Sequence, residues 1–216
     1  MKITQFPNEY TAIMNKILQA ANENGFRVYA VGGFVRDLII GRFPNDLDIM
    51  VEPPALQNAR LAGINFSKIL ASKYSLSSPV VFERFGTAKL IIDGCEVEFV
   101  MPRKEYYEDD SRNPDTEIGT LIQDALRRDF TVNALFLNLN GNEVLDLTGL
   151  GLSDIENKII RAADSCAAGV IFKQDPLRIL RAVRQSLQLN FQIEPSTYAA
   201  MKDAVKRIKI VSPERI

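Results

Sequence analysis

Two aspartates, Asp46 and Asp48, stand two residues apart in the segment NDLDI. If this segment is a β-strand, both carboxylates project from one face of the strand, and Leu47 and Ile49 form the apolar face opposite. Neighbouring carboxylates repel each other unless a cation lies between them, and hard oxygen ligands of this kind suit Mg²⁺. The pair therefore predicts a site for Mg²⁺, although two solvated aspartates at the edge of a sheet would give the same pattern.

A third carboxylate is expected on a neighbouring strand, because a site that holds two metal ions usually uses one. In the segment EVEF, alternation places Glu96 and Glu98 on one face of a strand and the two apolar residues on the other. Glu98 is the first choice for this catalytic carboxylate, and Glu96 is the alternative. Two glutamates on a solvent-exposed face would be an equally simple interpretation.

A pair of glycines between a strand and a helix predicts a phosphate site. Gly32 and Gly33 follow the apolar residues 26–31 and precede a short apolar helix in the sequence VGGFVRD. Such a turn offers backbone N–H groups at the start of the helix, and the missing Cβ atoms let a phosphate approach closely. Arg36 lies one turn further on, where its guanidinium can reach the same phosphates. The alternative is a tight turn that binds nothing.

The absence of histidine from all 216 residues excludes several kinds of site. A Ser-His-Asp triad, a Cys-His dyad, a His-ligated zinc and an imidazole general base all need this residue. Two cysteines, Cys95 and Cys166, are too few for a disulfide framework or a zinc knuckle, and each is expected to be a buried thiol. An enzyme of this composition must use carboxylates, arginines, lysines, hydroxyls or bound metal, which points towards phosphoryl or nucleotidyl transfer.

Charge is distributed unevenly along the chain. The formal net charge is −1, yet residues 173–216 carry nine Lys and Arg against four Asp and Glu. This basic excess suits a contact with RNA, but a solvated helix face explains it as well. No apolar run reaches the roughly 18 residues of a membrane span, and the first residues lack the pattern of a secretion signal. We therefore expect a cytoplasmic protein without a membrane segment.

Hydrophobic periodicity predicts an α+β fold in two domains, a head over residues 1–150 and an all-helical neck over residues 151–216. The predicted helices span residues 9–22, 34–40, 53 towards 74, 153–161, 175–188 and 195–209. The predicted strands span residues 26–31, 47–51, 80–82, 88–92, 96–100, 134–139 and 144–147. Asp93-Gly94 and Asn140-Gly141 predict hairpin turns, and residues 103–120 predict a loop.

Four motifs, in chain order, carry a resemblance to a known family. They are GGFVRD at 32–37, DLD at 46–48, RRDFTVN at 127–133 and QDPLRILRAVR at 174–184. Together they resemble the head and neck of the bacterial-type CCA-adding tRNA nucleotidyltransferase and poly(A) polymerase family, which belongs to the DNA polymerase β superfamily. The resemblance implies a nucleotidyltransferase head with a mixed or antiparallel sheet flanked by helices, followed by an all-helical neck.

The resemblance also implies a role for each matching residue. Asp46 and Asp48 would bind Mg²⁺, and Gly33 and Arg36 would hold the triphosphate. The residues that match the nucleotide-binding motifs are Gly32, Gly33, Arg36, Arg128, Asp129, Asn133, Asp175, Arg178, Arg181 and Arg184. The last two of these would lie near phosphates.

Recognition of the base and sugar is implied for five of these residues. Arg128 would contact the incoming nucleotide, with Asp129 and Asn133 near its ribose. Asp175 and Arg178 would present an edge like that of a base pair to CTP or ATP. A carboxylate acceptor and a guanidinium donor can together distinguish an edge with an amino group and a ring nitrogen from an edge with a carbonyl.

Two residues depart from the family pattern. Residues 174–178 read QDPLR and match the family's EDxxR motif, so Gln174 replaces its glutamate. Gln185 stands where the family usually has an aromatic residue. Because Gln174 can still accept a hydrogen bond, we expect an altered orientation of Asp175 and Arg178 and not a loss of activity. Residues 211–216 resemble the segment after which family members continue into helical domains that hold the tRNA. The chain is therefore expected to be part of a longer protein and to bind RNA poorly by itself.

The implied reaction is the Mg²⁺-dependent addition of C, A or both to the tRNA 3′ end from CTP and ATP, with release of pyrophosphate. A poly(A) polymerase of the same family is an alternative. The resemblance disfavours it, because the poly(A) polymerases of the family carry a basic, aromatic-rich segment after the aspartate pair and residues 52–80 contain none. A catalytically idle nucleotide-binding or RNA-binding module is a further alternative. The complete aspartate pair argues against it, because an idle module has no need of metal ligands. A small-molecule nucleotidyltransferase would share the aspartates but not RRDFTVN. The motifs do not separate CCA addition from the addition of CC or A alone.

Overall fold

A computed structural model of the chain describes residues 1–3, 5–55, 58–107, 114–164 and 167–211. The predictions made for Cys166 and for the segment after Val211 lie outside these residues. Within the described ranges, no helix combines the length and the apolar character needed to cross a membrane.

The chain folds as two compact units, each built from two stretches of sequence. The first unit is Met1–Arg103 with Leu135–Leu145, and the second is Lys104–Ala134 with Asp146–Ile216. Residues 104–134 therefore pack with the C-terminal part of the chain. The functional division into a head over residues 1–150 and a neck over residues 151–216 stays a prediction.

The helices and strands of the described ranges are numbered in chain order. The helices are α1 (Asn8–Asn24), α2 (Gly33–Ile39), α3 (Ala62–Lys73), α4 (Leu121–Leu126), α5 (Gly151–Glu156), α6 (Ala168–Gln174), α7 (Leu177–Leu189) and α8 (Pro195–Ala204). The strands are β1 (Arg27–Val31), β2 (Leu47–Glu52), β3 (Val80–Phe82), β4 (Thr87–Ile92), β5 (Cys95–Val100), β6 (Arg103–Tyr106), β7 (Asp115–Ile118), β8 (Leu135–Asn138), β9 (Glu143–Asp146), β10 (Ile159–Ile160) and β11 (Gln192–Ile193).

A seven-stranded sheet in the order β3-β4-β5-β2-β1-β8-β9 forms the centre of the first unit. β2 pairs in parallel with β5 and antiparallel with β1, and β4 pairs antiparallel with β5. α1 and α3 pack on this sheet and on each other. The predicted mixed sheet flanked by helices is thereby confirmed, as are the strands that carry Asp48 and Glu98.

Local sequence explains how the helices and the central strands are placed. In α1, Ile13 and Ile17 recur at helical spacing and are buried. α3 lies so close to β5 that a Cβ atom on Gly63 would stand 2.7 Å from the carbonyl oxygen of Phe99. Only glycine permits this approach without a shift of the backbone, so Gly63 fixes the distance between α3 and the strand that carries Glu98.

A two-residue turn sets the register of β4 against β5. Asp93 and Gly94 have positive φ angles of 50° and 84°, and they join the paired residues Ile92 and Cys95. Positive φ at both central positions is the conformation that matches the twist of a hairpin. The hairpin predicted from Asp93-Gly94 is therefore confirmed, and its register decides which residue of β4 faces each glutamate of β5.

Three sequence predictions need correction. The helix expected from Pro53 onwards begins at Ala62, because the residue before a proline is disfavoured in the helical conformation and Pro53-Pro54 supplies two such steps. Residues 103–120, predicted to be a loop, contain β6 and β7, whose mostly charged side chains hide the strand pattern. The neck, predicted to be all helix, also contains the parallel pair β10 and β11, whose two-residue strands are too short for periodicity to reveal.

A partly buried ion pair between Asp154 and Arg161 lies next to the turn Thr131–Asn133 in the second unit. The hydroxyl of Thr131 donates to Asp154 at 2.7 Å, and Nε of Arg161 donates to the same carboxylate at 3.0 Å. Asp154 lies in α5, which packs against this turn. The turn carries part of the RRDFTVN motif, so its backbone is held by residues outside the motif.

Glu194 caps α8, and replacing it gives a testable loss of stability. Its carboxylate accepts hydrogen bonds from the hydroxyl of Ser196 at 2.6 Å and from the backbone N–H of Thr197 at 2.7 Å. Burial raises the pKa of Glu194, but these hydrogen bonds outweigh burial and lower it to about 2. Glu194→Ala is expected to lower the free energy of unfolding at neutral pH by about 1 kcal/mol, the usual worth of a helix cap.

The pH dependence of this effect follows from the sign of the pKa shift. Because the folded-state pKa of Glu194 lies below the ordinary value of 4.5, its contribution is full above that pH. The contribution is lost as the pH falls towards about 2. Urea unfolding of the wild type and of Glu194→Ala should therefore give stabilities that converge in acid, with Glu194→Gln intermediate at neutral pH. A difference that persists unchanged at low pH would contradict the capping role.

Candidate active site

The glycine turn after β1 has a conformation that other residues rarely adopt. Gly32 has a φ of 76° and a ψ of −139°, and its N–H donates to the carbonyl oxygen of Leu135 at 3.2 Å. A side chain at this position would be strained, so the glycine is needed for the chain to pass from β1 into α2. The predicted order of strand, glycine pair and helix is confirmed.

The guanidinium of Arg36 lies directly over Gly33. A Cβ atom on Gly33 would stand 3.4 Å from Nη2 of Arg36. The guanidinium also donates to both carboxylate oxygens of Asp37, from Nε at 2.8 Å and from Nη2 at 2.9 Å. The structure thus brings the cation of Arg36 to the glycine turn, oriented by an aspartate that the sequence analysis did not assign.

Asp48 and Glu98 lie side by side on adjacent strands of the sheet. In the parallel pairing of β2 with β5, Asp48 is the register partner of Glu98, so both side chains project from the same face. On its other side Asp48 pairs with Val31, the last residue before the glycine turn. Both carboxylates are half-buried. The pairing brings two predicted acidic residues together next to the turn.

The alternative carboxylate, Glu96, has different surroundings. Its side chain is exposed and accepts a hydrogen bond from Nζ of Lys89 at 2.6 Å. In β2, no residue of the paired stretch stands opposite Glu96, because the register with β5 begins at Leu47 and Val97. Geometry therefore favours Glu98 over Glu96 as the partner of Asp48.

Asp46 does not lie in the strand, which corrects the assumption behind the same-face prediction. β2 begins at Leu47, so Asp46 is the exposed residue that precedes the strand, and strand alternation does not set its direction. Pro44 precedes the strand, and its own carbonyl group is engaged with a helix instead of the sheet. That carbonyl accepts a hydrogen bond from the hydroxyl of Tyr10 at 2.8 Å.

Tyr10 connects the segment before Asp46 to the helix after the glycine turn. Its ring packs edge-on against Phe34 of α2, with ring centroids 5.0 Å apart. Burial raises the pKa of Tyr10, with further contributions from Cys95 and from the negative charge of Asp46. Cys95, predicted to be buried, is half-buried. No local sequence pattern identified Tyr10, because its partners are distant along the chain.

The acidic residues have the chemistry of a Mg²⁺ site. Asp48 and Glu98 provide oxygen ligands in register. The pKa of Lys89 is raised, mainly by its hydrogen bond with Glu96 and to a smaller extent by the negative charges of Glu98 and Asp48. Among the described residues, no three carboxylate, thiolate or imidazole groups lie close enough together to enclose a metal ion. The structure thus supplies Asp48 and Glu98 as a pair of acidic ligands, and the assignment of Asp46 as a further ligand stays a prediction.

In the second unit, the two arginines of RRDFTVN are held by a fully buried carboxylate. Asp124 is 0% exposed and accepts hydrogen bonds from Nε of Arg127 at 2.9 Å and from Nε of Arg128 at 3.0 Å. It lies in α4, whose start is fixed by a capping box between Thr120 and Gln123. Asp124 therefore sets the orientation of Arg128, the residue assigned to the incoming nucleotide.

Asp129, Asn133 and Arg181 form one hydrogen-bonded group. Nδ2 of Asn133 and Nε of Arg181 donate to the carboxylate of Asp129 at 2.9 Å and 2.7 Å. Burial alone would raise the pKa of Asp129, but the charge of Arg181 and the hydrogen bond from Asn133 outweigh it, and the pKa lies below its ordinary range. Asp129 is thus held as a buried anion, and three of the residues assigned to the nucleotide are in contact.

Arg178 points into the second unit and carries an unused donor. The residue is 7% exposed, and its Nη2 donates to the carbonyl oxygen of Arg127 at 2.7 Å. Its Nη1 is buried and has no hydrogen-bond partner among the described residues. The Asp175 carboxylate accepts from the N–H of Leu177 at 3.2 Å at the start of α7. Arg184 is exposed, so the three arginines of α7 do not share one environment.

Several residues of these sites escaped the sequence analysis. Asp124 could have been found, because its spacing from Arg127 and Arg128 is that of helical ion pairs. Glu105 had no such signal: it accepts a hydrogen bond from Arg127 at 2.9 Å and lies 3.8 Å from Arg178, both far along the chain. Gln185 was noted only as a departure from a pattern, and its partner Asn133 is 52 residues away.

Comparisons with known proteins identify the family. The family model described as the Poly A polymerase head domain matches residues 28–161, and one described as a probable RNA and SrmB-binding site of polymerase A matches residues 190–216. The CCA-adding enzyme of Lactobacillus gasseri is 35% identical over 218 residues, covering 100% of this chain and 50% of that relative. The A-adding tRNA nucleotidyltransferase of Aquifex aeolicus is 37% identical over 182 residues, covering 83% of this chain and 20% of that relative.

Solved structures agree with these matches. A tRNA nucleotidyltransferase complexed with a primer tRNA and an incoming ATP analog aligns with a TM-score of 0.74 at 33% identity, covering 92% of this chain and 53% of that one. A CCA-adding enzyme in complex with ATP aligns with a TM-score of 0.79 at 27% identity, covering 100% of this chain and 48% of that one. The chain spans about half the length of the curated CCA-adding enzymes it matches. By sequence and by fold, the chain belongs to the poly A polymerase head domain family, the family of the CCA-adding and A-adding tRNA nucleotidyltransferases.

Proposed function

We propose that the chain carries the nucleotidyl-transfer machinery of a tRNA nucleotidyltransferase, which adds C, A or both to the tRNA 3′ end from CTP and ATP. The observation that carries this proposal is the pairing of Asp48 with Glu98 beside the glycine turn. The names of its relatives and the tRNA, CTP and ATP complexes of its structural neighbours support the same reaction. Such a protein would work in the cytoplasm, where tRNA is available.

In the proposed reaction, the 3′-hydroxyl oxygen of the RNA attacks the α-phosphorus of the nucleotide. The new P–O bond extends the RNA, the bond to the β-phosphate breaks, and pyrophosphate leaves. Mg²⁺, held by Asp46 and Asp48 with Glu98 adjacent, would help to deprotonate the hydroxyl and neutralise the charge on the phosphates. The glycine turn would receive the triphosphate, and Arg36, whose guanidinium lies over Gly33, would supply donors to its oxygens. Catalysis by positioning and electrostatics needs no histidine.

The base and sugar would be recognised by the second unit. Cytosine and adenine each present an amino donor next to a ring nitrogen acceptor, whereas uracil and guanine present a carbonyl. Nη1 of Arg178 is buried and has no hydrogen-bond partner within the described part of the chain, which supports a role as donor to that ring nitrogen. Asp175 would accept from the amino group. Arg128, Asp129 and Asn133 would face the rest of the nucleotide. Arg181 and Arg184 would lie near phosphates.

Product lengths test this function directly. The full-length protein is offered labelled CTP and ATP with three acceptors: tRNA ending at the discriminator base, tRNA ending in CC, and an unstructured RNA. Addition limited to the tRNA acceptors is the expected result, and the number of residues added separates CCA, CC and A addition. Long A tracts on unstructured RNA would instead indicate a poly(A) polymerase. Nucleotide binding without any incorporation would indicate an idle module and overturn the proposal.

Arg178→Ala is expected to weaken the choice between bases. A bidentate contact to a base edge is worth about 1–3 kcal/mol of discrimination, so the preference for CTP over UTP should fall by roughly 5- to 150-fold. The ratio of kcat/KM for the two nucleotides is the measurement. Lys173→Ala, which removes an exposed cation at the end of α6, is the matched control and should leave the ratio unchanged. An unaltered ratio in Arg178→Ala would count against base reading by this residue.

A further inference from the structure

Gln185 is a buried polar residue on α7 with one defined partner. It is 7% exposed, and its Oε1 accepts a hydrogen bond from Nδ2 of Asn133 at 3.0 Å. Asn133 is itself buried and lies in the RRDFTVN motif, 52 residues earlier in the chain. A buried amide of this kind would be costly without a partner, so the contact explains why a glutamine is tolerated inside the unit.

Gln185 completes the hydrogen bonding of the Asn133 amide nitrogen. That nitrogen carries two hydrogens, and it donates both to Asp129 at 2.9 Å and to Gln185 at 3.0 Å. Two acceptors in fixed positions determine the plane of the amide and the edge on which its donors lie. With an apolar side chain at position 185, one hydrogen would lose its acceptor and the amide could turn.

α7 contacts the RRDFTVN motif at two points, and the hydrogen bond between Gln185 and Asn133 is one of them. Arg181 and Gln185 lie one helical turn apart, on the same face of α7. Arg181 donates to Asp129 from Nε at 2.7 Å, while Gln185 accepts from Asn133, which in turn donates to Asp129. The four side chains therefore form a continuous hydrogen-bonded chain that begins and ends on the same helix. Its middle members are the two residues assigned to the ribose.

We propose that Gln185 is a positioning residue for sugar recognition: by fixing the Asn133 amide, it sets the preference for ribonucleoside over deoxyribonucleoside triphosphates. This inference rests on the proposed function, because it assumes that Asn133 faces the ribose of the incoming nucleotide. It concerns a residue outside the matching motif, and it assigns a specific effect to the position where the family usually has an aromatic side chain.

The test compares Gln185→Met, which keeps the length of the side chain but removes the acceptor, with Gln185→Glu, which retains an oxygen acceptor. The measurement is kcat/KM for CTP against dCTP, with thermal unfolding of each variant as a check on folding. One lost hydrogen bond corresponds to about a fivefold change, so Gln185→Met should lower the ribonucleotide preference by about that factor. Gln185→Glu should keep most of the preference. Gln188→Met, at an exposed position of the same helix, should leave it unchanged.

A double-mutant cycle with Asn133→Ala shows whether Gln185 acts through Asn133. In the Asn133→Ala background, Gln185→Met should have no further effect on the ratio. Equal ratios for the wild type and Gln185→Met, or full additivity with Asn133→Ala, would overturn the inference while leaving the proposed function intact. If Gln185→Met does not fold, the ratio of Gln185→Glu is decisive. A ratio close to that of the wild type supports the inference, and a large loss contradicts it. A wild type that binds CTP and dCTP without preference and incorporates neither would overturn both.

Discussion

Asp48→Asn is expected to lower nucleotide incorporation by a factor of about a thousand or more. The substitution keeps the shape of the side chain but removes the negative charge that stands beside Glu98 and next to the glycine turn. A metal ion contributes several kcal/mol of charge stabilisation in such a transfer, and each 1.4 kcal/mol is tenfold in rate. Single-turnover incorporation of labelled CTP is the measurement, with the thermal unfolding midpoint as a check that the fold is retained.

The two glutamates of β5 supply a matched comparison for this result. Glu98 is in register with Asp48, whereas Glu96 is exposed and paired with Lys89. Glu98→Gln should therefore reduce incorporation strongly, and Glu96→Gln should change it little. Asp46→Asn should also abolish turnover if Asp46 contributes to the metal site from its position before β2. Retained turnover in Asp48→Asn would refute the metal assignment, and a larger loss in Glu96→Gln than in Glu98→Gln would reverse the choice between the glutamates.

Asp124→Asn is expected to destabilise the second unit by about 3 kcal/mol. The carboxylate is fully buried and holds both Arg127 and Arg128, so its neutralisation removes the negative charge that the two arginines share. Removing one partner of a buried ion pair costs about 3–5 kcal/mol, and we take the lower end because Arg127 keeps its hydrogen bond to Glu105. Urea unfolding at neutral pH measures the change in the free energy of unfolding.

An exposed ion pair in the same unit is the control. Glu117 pairs with Lys104 at 2.8 Å, but the side chain of Glu117 is 62% exposed and that of Lys104 is only half-buried. Exposed pairs contribute little to stability, so Glu117→Gln should unfold almost like the wild type. If Asp124→Asn were as stable as Glu117→Gln, the buried carboxylate would not be the residue that organises the two arginines. The same experiment separates loss of Arg128 orientation from loss of fold, because incorporation can be measured below the unfolding transition.

Local patterns predicted much of the fold correctly because each depends on residues close together in the chain. The helical stripe of α1, the glycine pair after β1 and the turn at Asp93-Gly94 all follow from conformational preferences of a few neighbouring residues. Elements of two residues and strands of charged residues left no such pattern. β10, β11 and the pair β6 and β7 were missed for this reason.

By itself, the sequence determined which residue types were available and the order in which they occur: acidic residues at 46, 48 and 98, a glycine turn, arginines on one helix and no histidine. Only the tertiary structure decided which glutamate stands beside Asp48, because β2 and β5 are far apart along the chain and no turn between them fixes their register. It also decided that Arg178 is buried, with one donor that no other described residue accepts, and that Gln185 holds Asn133. Such contacts join residues tens of positions apart. A buried polar group needs a partner that the fold brings next to it, and the spacing of residues along the chain does not show which residue that is.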